Sequence, residues 1–360
     1  MKSKIRNESQ YKAAMLLEGA LTGDRADTNA FFEALSTSDL PSQLEPAINK
    51  KVLDAYRGAL GDWTKIARRE IADDFRLQEI ARMRFTDDKI AETNAGKAFV
   101  SGGLPKVGEL DEYPLVGLGA TGFNYRIGKS GVKAALSWET IINTRSLSLL
   151  EKFWLDFGQR AAKQEVYEAV SQFVNASGFT TNITGNQGTN PSLLTGNPVL
   201  SLDAIQDAIE KTATHTIDGQ TAALGGTYIL AVPQSLAPRA AEILSIREVR
   251  RVVSGDTFIQ GNPLSGVVEI AVLPEITQIN ANAGAFWWVQ PRPEALPAAN
   301  AQVAFLRGHE APEVFIKSTT VQNPELGDFD HDAYETKVRH TATGAFTERV
   351  GIVASNGSGT

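Results

Sequence analysis

A run of glycines, one Gly-Lys-Ser triplet and four histidines are the residues of this sequence with the best claim to chemistry. Gly117, Gly119 and Gly122 in "GLGATG" have the G-x-G-x-x-G spacing of a dinucleotide-binding turn. That turn works only between a strand and a helix, whose N-terminus receives the pyrophosphate. Here "FNYRIG" follows and alternates like a strand, so the glycines read as an extended, permissive loop. A nucleotide-dependent enzyme is the remote alternative, and it requires a helix beginning near Gly122. Gly128-Lys129-Ser130 resembles the end of a phosphate-binding loop, but Phe123 stands where the first glycine belongs. The histidines are His215, His309, His331 and His340, with no His-x-x-x-His pair. Asp328, Asp330 and Asp332 crowd His331; calcium-loop spacing is absent, and a turn of solvated carboxylates is the expectation. "GHEAPE" at 308–313 ends in Glu313, where a zinc-protease helix needs histidine. No Gly-x-Ser-x-Gly elbow and no cysteine are present. The reading is therefore of a protein with no catalytic residues, no cofactor and no metal, hence not an enzyme.

The bulk properties fit that reading. The chain has 360 residues, 42% apolar and 21% charged, which suffices for a sizeable core. A net charge of −7 argues against a nucleic-acid-coating protein. Lys2, Lys4, Arg6 and Lys12 against Glu8 suggest a solvated basic terminus. No apolar run reaches the ~18 residues of a membrane span. The N-terminus lacks a signal-peptide core, so the default location is cytoplasmic.

The elements that would position these residues follow from periodicity. Residues 1–84 read mostly as helix, with one piece stopping at Pro41. Leu44, Ile48, Val52, Tyr56, Leu60 and Trp63 then recur at steps of three and four, a stripe facing a core or a neighbouring chain. Phe123, Tyr125 and Ile127 line one strand face, and Val132, Ala134 and Leu136 another. "GKSG" between them suggests a hairpin turn. A two-stranded hairpin is marginal alone and needs another surface, here a neighbouring subunit. Ser148 and Glu151 have capping-box spacing. Leu150, Trp154, Phe157, Ala161, Val166, Val170 and Phe173 continue the helix towards Gly178, for ~40 Å in all. A polar Gly/Asn/Pro loop separates it from a compact α+β unit: a helix capped at Ser201, "TYILAV", a helix from Ser235, "GVVEIAVLPEI" and "GAFWWVQP". Trp287 and Trp288 must point to opposite faces, both into core. Tyr334, Thr336 and Val338, then Val350 and Ile352, form closing strands expected to return to the long helix.

This order of parts resembles the tailed-phage major capsid proteins of the Hong Kong 97 type. "GVKAALSWETIINTRSLSLL" is similar to the family's passage from the extended E-loop into the P-domain, and the helix after it to the spine helix. The stretch "LSLDAIQDAIEKTATHTIDGQTAALGGTYILAVPQSLAPRAAEIL" is similar to the A-domain. "FDHDAYETKVRHTATGAF" and "RVGIVAS" resemble the closing P-domain strands.

The resemblance implies an α+β capsid fold with these limits: a helical arm at 1–84, an E-loop hairpin at 85–138, a P-domain with spine helix at 139–195, an A-domain at 196–309 and closing P-domain strands at 310–360. It implies a structural subunit of pentamers and hexamers in an icosahedral head enclosing double-stranded DNA without sequence specificity, assembled in the host cytoplasm. Scaffold, portal and decoration proteins are possible partners, and no membrane is. An encapsulin-type compartment is the alternative. Leu115, Leu118, Phe123, Tyr125, Trp63 and Tyr56 are the residues expected at inter-subunit contacts, and Leu150, Trp154, Phe157 and Val170 in the spine-helix core. Lys97 and Lys106 lie in the E-loop region, but neither can be matched to the family's cross-linking position, so no covalent cross-link is expected.

Overall fold

The computed structural model describes residues 40–86, 117–137, 148–185, 191–217, 220–221, 226–246, 248–253, 256–296, 298–317 and 333–359, with a few isolated positions besides. Pro41 opens the first helix instead of ending one: α1 runs Leu40–Gly58. Proline suits a first turn because the N–H it lacks would have had no partner there. Ile48, Val52 and Tyr56 of the apolar stripe are buried, whereas Leu60 beyond the helix end is 44% exposed. A short α2 (Trp63–Ile66) follows. The expectation of helix up to residue 84 is then corrected, because β1 (Arg68–Ala72) and β2 (Gln78–Thr86) are strands. Their Arg, Glu and Ala residues favour helix in isolation, but differences of a few tenths of a kcal/mol per residue yield to strand pairing in the fold.

The expected hairpin of 123–136 is also corrected. β3 (Gly117–Tyr125) pairs antiparallel with β2, from Thr86↔Gly117 to Gln78↔Tyr125. β4 (Ser130–Ser137) instead pairs with residues 333–340. Residues 126–129 carry the chain from one sheet to another. The Gly128 N–H donates to Thr343 Oγ1 at 2.7 Å. A Cβ on Gly131 would lie 2.5 Å from the Val338 carbonyl oxygen. Glycine marks a tight turn and a close backbone approach alike, which is why the sequence reads as a hairpin.

The long helix, α3, spans Ser148–Val170, or 23 residues. It ends short of the expected Gly178. The hydroxyl of Thr180 and the amide of Asn182 both donate to the Gln172 carbonyl, at 2.8 and 2.9 Å. These side chains satisfy a carbonyl that a further helical turn would otherwise use. Gly178, with φ +135°, instead opens β6 (Gly178–Phe179), which pairs with β5 (Val174–Asn175). A one-turn α4 (Thr181–Thr184) follows.

The next elements are α5 (Leu202–Ala213), β7 (Thr216–Ile217), β8 (Gln220–Thr221), β9 (Tyr228–Val232) and α6 (Ala237–Ser245). Ser201 Oγ accepts the Ala204 N–H at 3.2 Å, as its position before α5 predicts. β10 (Glu248–Val253) and β11 (Asp256–Gly261) form an antiparallel pair. β12 (Val268–Val272), α7 (Glu275–Ile279) and β13 (Trp287–Pro291) complete this unit. The chain closes with β14 (Ala301–Leu306), β15 (Glu313–Ile316), β16 (Ala333–His340), β17 (Ala342–Phe346) and β18 (Val353–Ser355).

Three sheets organise the molecule: β12-β9-β13-β18, β1-β14-β17 and β15-β16-β4. The first has a core on each face. Ile229, Ala231, Trp288 and Ala354 face α3, while Leu230, Val232, Trp287 and Val353 face α5 and α6. The adjacent tryptophans thus serve opposite cores, and both are fully buried. The closing residues do reach the long helix through β17, with the Gly344 N–H donating to Glu168 Oε2 at 3.0 Å. Ile352 and Ala354 reach it as well, in the core that includes Val166 and Val170, while residues 353–355 extend the sheet of Trp288 through Trp288↔Ala354.

Candidate functional site

Among the described residues, no group of three His, Asp or Glu side chains is arranged to hold a metal ion. The "GLGATG" glycines lie in β3, a strand with no helix after it. His331 and its aspartates lie outside the described residues. The other histidines each tie segments together. His309 Nδ1 lies 2.6 Å from Glu313 Oε1, and Arg339 Nη2 lies 2.5 Å from Glu313 Oε2.

His215 is fully buried at the end of α5. Its Nδ1 accepts the Gly351 N–H at 2.8 Å, so its Nε2 carries the proton and donates to the Pro191 carbonyl at 3.2 Å. Burial pushes its pKa below the ordinary histidine value, and the nearby charges of Lys211 and Arg349 add to this, against the Pro191 hydrogen bond.

The most connected polar centre is Glu165, a fully buried carboxylate in the middle of α3. Its Oε1 accepts from the Tyr56 hydroxyl and lies 2.9 Å from His340 Nε2, while its Oε2 accepts from Trp63 Nε1 at 3.1 Å. Burial, and then the adjacent carboxylate, hold the Tyr56 phenol well above its usual range. The side chains come from α1, α2, α3 and β16, so one carboxylate joins the N-terminal helices to the last third of the chain. Sequence periodicity shows Tyr56 and Trp63 as apolar stripe members, and nothing near Glu165 in the sequence marks it as their partner.

The expected contact residues divide accordingly. Tyr56 and Trp63 are 6% and 1% exposed within the single chain. Tyr125 packs with Ala72, Ile127 and Ala304. These three are corrected from inter-subunit contacts to internal core, because α3, β16 and β14 already cover them. Phe123 is half-buried on β3, opposite Ile80. Leu118 lies on β3 and Leu150 in the first turn of α3, but their side chains fall outside the described set, as does Leu115 altogether. Trp154, Phe157 and Val170 are buried on α3.

α1 is held to α3 by an unusually close crossing. A Cβ on Gly158 would lie 2.4 Å from the Val52 carbonyl oxygen. Asn49 Oδ1 accepts the Val314 N–H at 2.9 Å, and its Nδ2 donates to the Val314 carbonyl at 3.4 Å. One side-chain amide thereby serves the outer edge of β15 as a strand would. β2 and β3, by contrast, form a two-stranded ribbon that pairs with no other strand among the described residues.

The described residues thus show ties between distant segments, and a two-stranded ribbon that belongs to none of the three large sheets. The phage capsid protein model matches residues 121–355. The chain belongs to that family, as a structural subunit of a bacteriophage capsid, and its fold mixes helices and strands.

Solved structures are similar at low identity. The virus-like particle from Pyrococcus furiosus is 11% identical, with a TM-score of 0.48, covering 86% of this chain and 97% of that one. The encapsulin complex from Synechococcus elongatus is 9% identical, TM-score 0.46, with coverages of 83% and 89%. Mycobacterium phage Patience is 11% identical, TM-score 0.42, with coverages of 93% and 90%. A comparison with curated proteins returns no match.

Proposed function

We propose that this chain assembles into the pentamers and hexamers of a phage head that encloses double-stranded DNA without reading its sequence. In this reading scaffold, portal and decoration proteins join it in the host cytoplasm. The β2–β3 ribbon is the observation that carries the proposal beyond family membership. A two-stranded ribbon is marginally stable by itself, so it gains a second layer when it lies on a neighbouring copy. The ribbon, with residues 87–116 between its strands, takes the role of the E-loop, starting at Gln78 and not at 85. α3 takes that of the spine helix, and the sheet of β9 with α5 and α6 that of the A-domain, to which β18 also contributes.

The test is electron microscopy of the full chain expressed alone and with its scaffold. Closed particles, or rings of five and six, are expected. A stable monomer under both conditions would refute the reading. Nuclease-protected DNA in particles from infected cells separates a head from a compartment filled with protein.

A further inference from the structure

The three-stranded sheet β15-β16-β4 has chemically opposite ends. At one end, where Ser130 pairs with His340, lies a groove of about 410 Å³ lined by Phe75, Arg126, Ile127, Lys129, His309 and Arg339 among others. Its walls are basic. Glu313 is the acid shared by His309 and Arg339. Arg126 donates from Nε to the Phe75 carbonyl at 3.0 Å. Neither Arg126 nor Lys129 has a carboxylate partner among the described residues, and both are exposed. Phe75, 42% exposed, adds an apolar surface.

At the other end, Ile316 pairs with Thr336 and Ala333 with Ser137. The chain between β15 and β16 includes "PELGDFDHD" at 324–332, with Glu325, Asp328, Asp330 and Asp332, no Lys or Arg, and the apolar Leu326 and Phe329.

We propose that this acidic segment of one copy docks in the basic groove of the next copy. The inference rests on the reading of the chain as a shell subunit. Asp330 and Asp332 cannot serve the groove of their own chain. Asp330 stands three residues before Ala333, so it lies within about 11 Å of that strand end. The strand from Ala333 to His340 puts the groove about 23 Å further on. Two unlike, complementary ends on one rigid sheet make a head-to-tail contact, the kind that closes rings or continues a lattice. Carboxylates supply partners for Arg126 and Lys129, and Phe329 or Leu326 an apolar face for Phe75. A DNA backbone is less suited, because it offers no apolar group to the groove.

The experiment uses full-length chains in three forms: Arg126→Glu with Lys129→Glu, Asp330→Lys with Asp332→Lys, and all four together. Each pair alone is expected to raise the assembly threshold at least about tenfold, and the four together to restore shells. In wild-type shells, a zero-length carbodiimide cross-link between Lys129 and Asp330 or Asp332, found by mass spectrometry, supports the proposal independently of how the variants fold. Wild-type shells with no such cross-link, and unimpaired assembly of both double variants, overturn it while leaving the shell reading intact. Shells from the groove variant that form normally but retain less DNA also overturn it, and assign the groove to nucleic acid. Failure of the wild-type chain to assemble under any condition refutes the shell reading itself.

Discussion

Glu165 shows how one residue can decide whether distant parts of a chain stay together. Three donors converge on its carboxylate, from Tyr56, Trp63 and His340, away from water. Glu165→Ala leaves all three without an acceptor, and removing one partner of a buried charged network costs about 3–5 kcal/mol. A fall of that size in chemical-denaturation stability is expected; a change below about 1 kcal/mol would show that the donors find water. His215 makes a second residue-level prediction. Its Nδ1 must stay unprotonated to accept from Gly351, and its folded pKa is depressed. The unfolded chain therefore binds a proton near pH 6.5 that the folded chain resists, so stability is full above that pH and falls as the pH drops below it. Measured from pH 7 to 5, the urea midpoint of His215→Gln is expected to fall less steeply than that of the native chain. Neither centre is legible in the sequence, where residues 56, 63, 165 and 340 share no periodicity.

At the scale of elements, what the sequence showed depended on how local the cause was. The Ser201 cap, the buried run of β9 and the opposed tryptophans all follow from spacings of a few residues. The end of α3 does not, because Asn182, ten residues beyond Gln172, caps its carbonyl. The β3–β4 bend was misread for the same reason, since its glycines answer to β16 and β17, two hundred residues away. Gly158 makes the matching prediction. Glycine costs a helix interior about 1 kcal/mol relative to alanine, yet here it admits the Val52 carbonyl at a distance no Cβ tolerates. Gly158→Ala is therefore expected to destabilise, by roughly 1–3 kcal/mol, where an ordinary helical site would gain stability. Hydrogen exchange should quicken first in α1. Unchanged protection there would mean that the crossing relaxes at little cost. Phe157→Asp, one residue away, places an unpaired charge in the α3 core, and soluble protein with a native melting profile would contradict the burial described here.

For the molecule as a whole, the β2–β3 ribbon matters more than any pocket. Replacing residues 87–116 with an Asn-Gly turn keeps β2 and β3 paired and retains a chain that folds as a soluble subunit, since the ribbon shares no sheet with the three that carry the cores. That variant is expected to elute as monomer or small ring by size exclusion and to yield no closed shells. Normal shells would show that the ribbon is dispensable. The class of fold was legible from the order of its parts, whereas the partners of β2, β17 and β18 were not, since each lies tens of residues along the chain.

β16, β17 and β18 follow one another within 23 residues, and each enters a different one of the three large sheets. A ribosome that has not yet translated residue 333 therefore holds a chain in which every one of those sheets lacks a strand and Glu165 lacks His340. Completion waits on that one short stretch and reaches all three sheets almost together. Nascent chains crowded on one polysome thus lack three finished sheets until residues 333–355 are made, and competence to associate is deferred to that point.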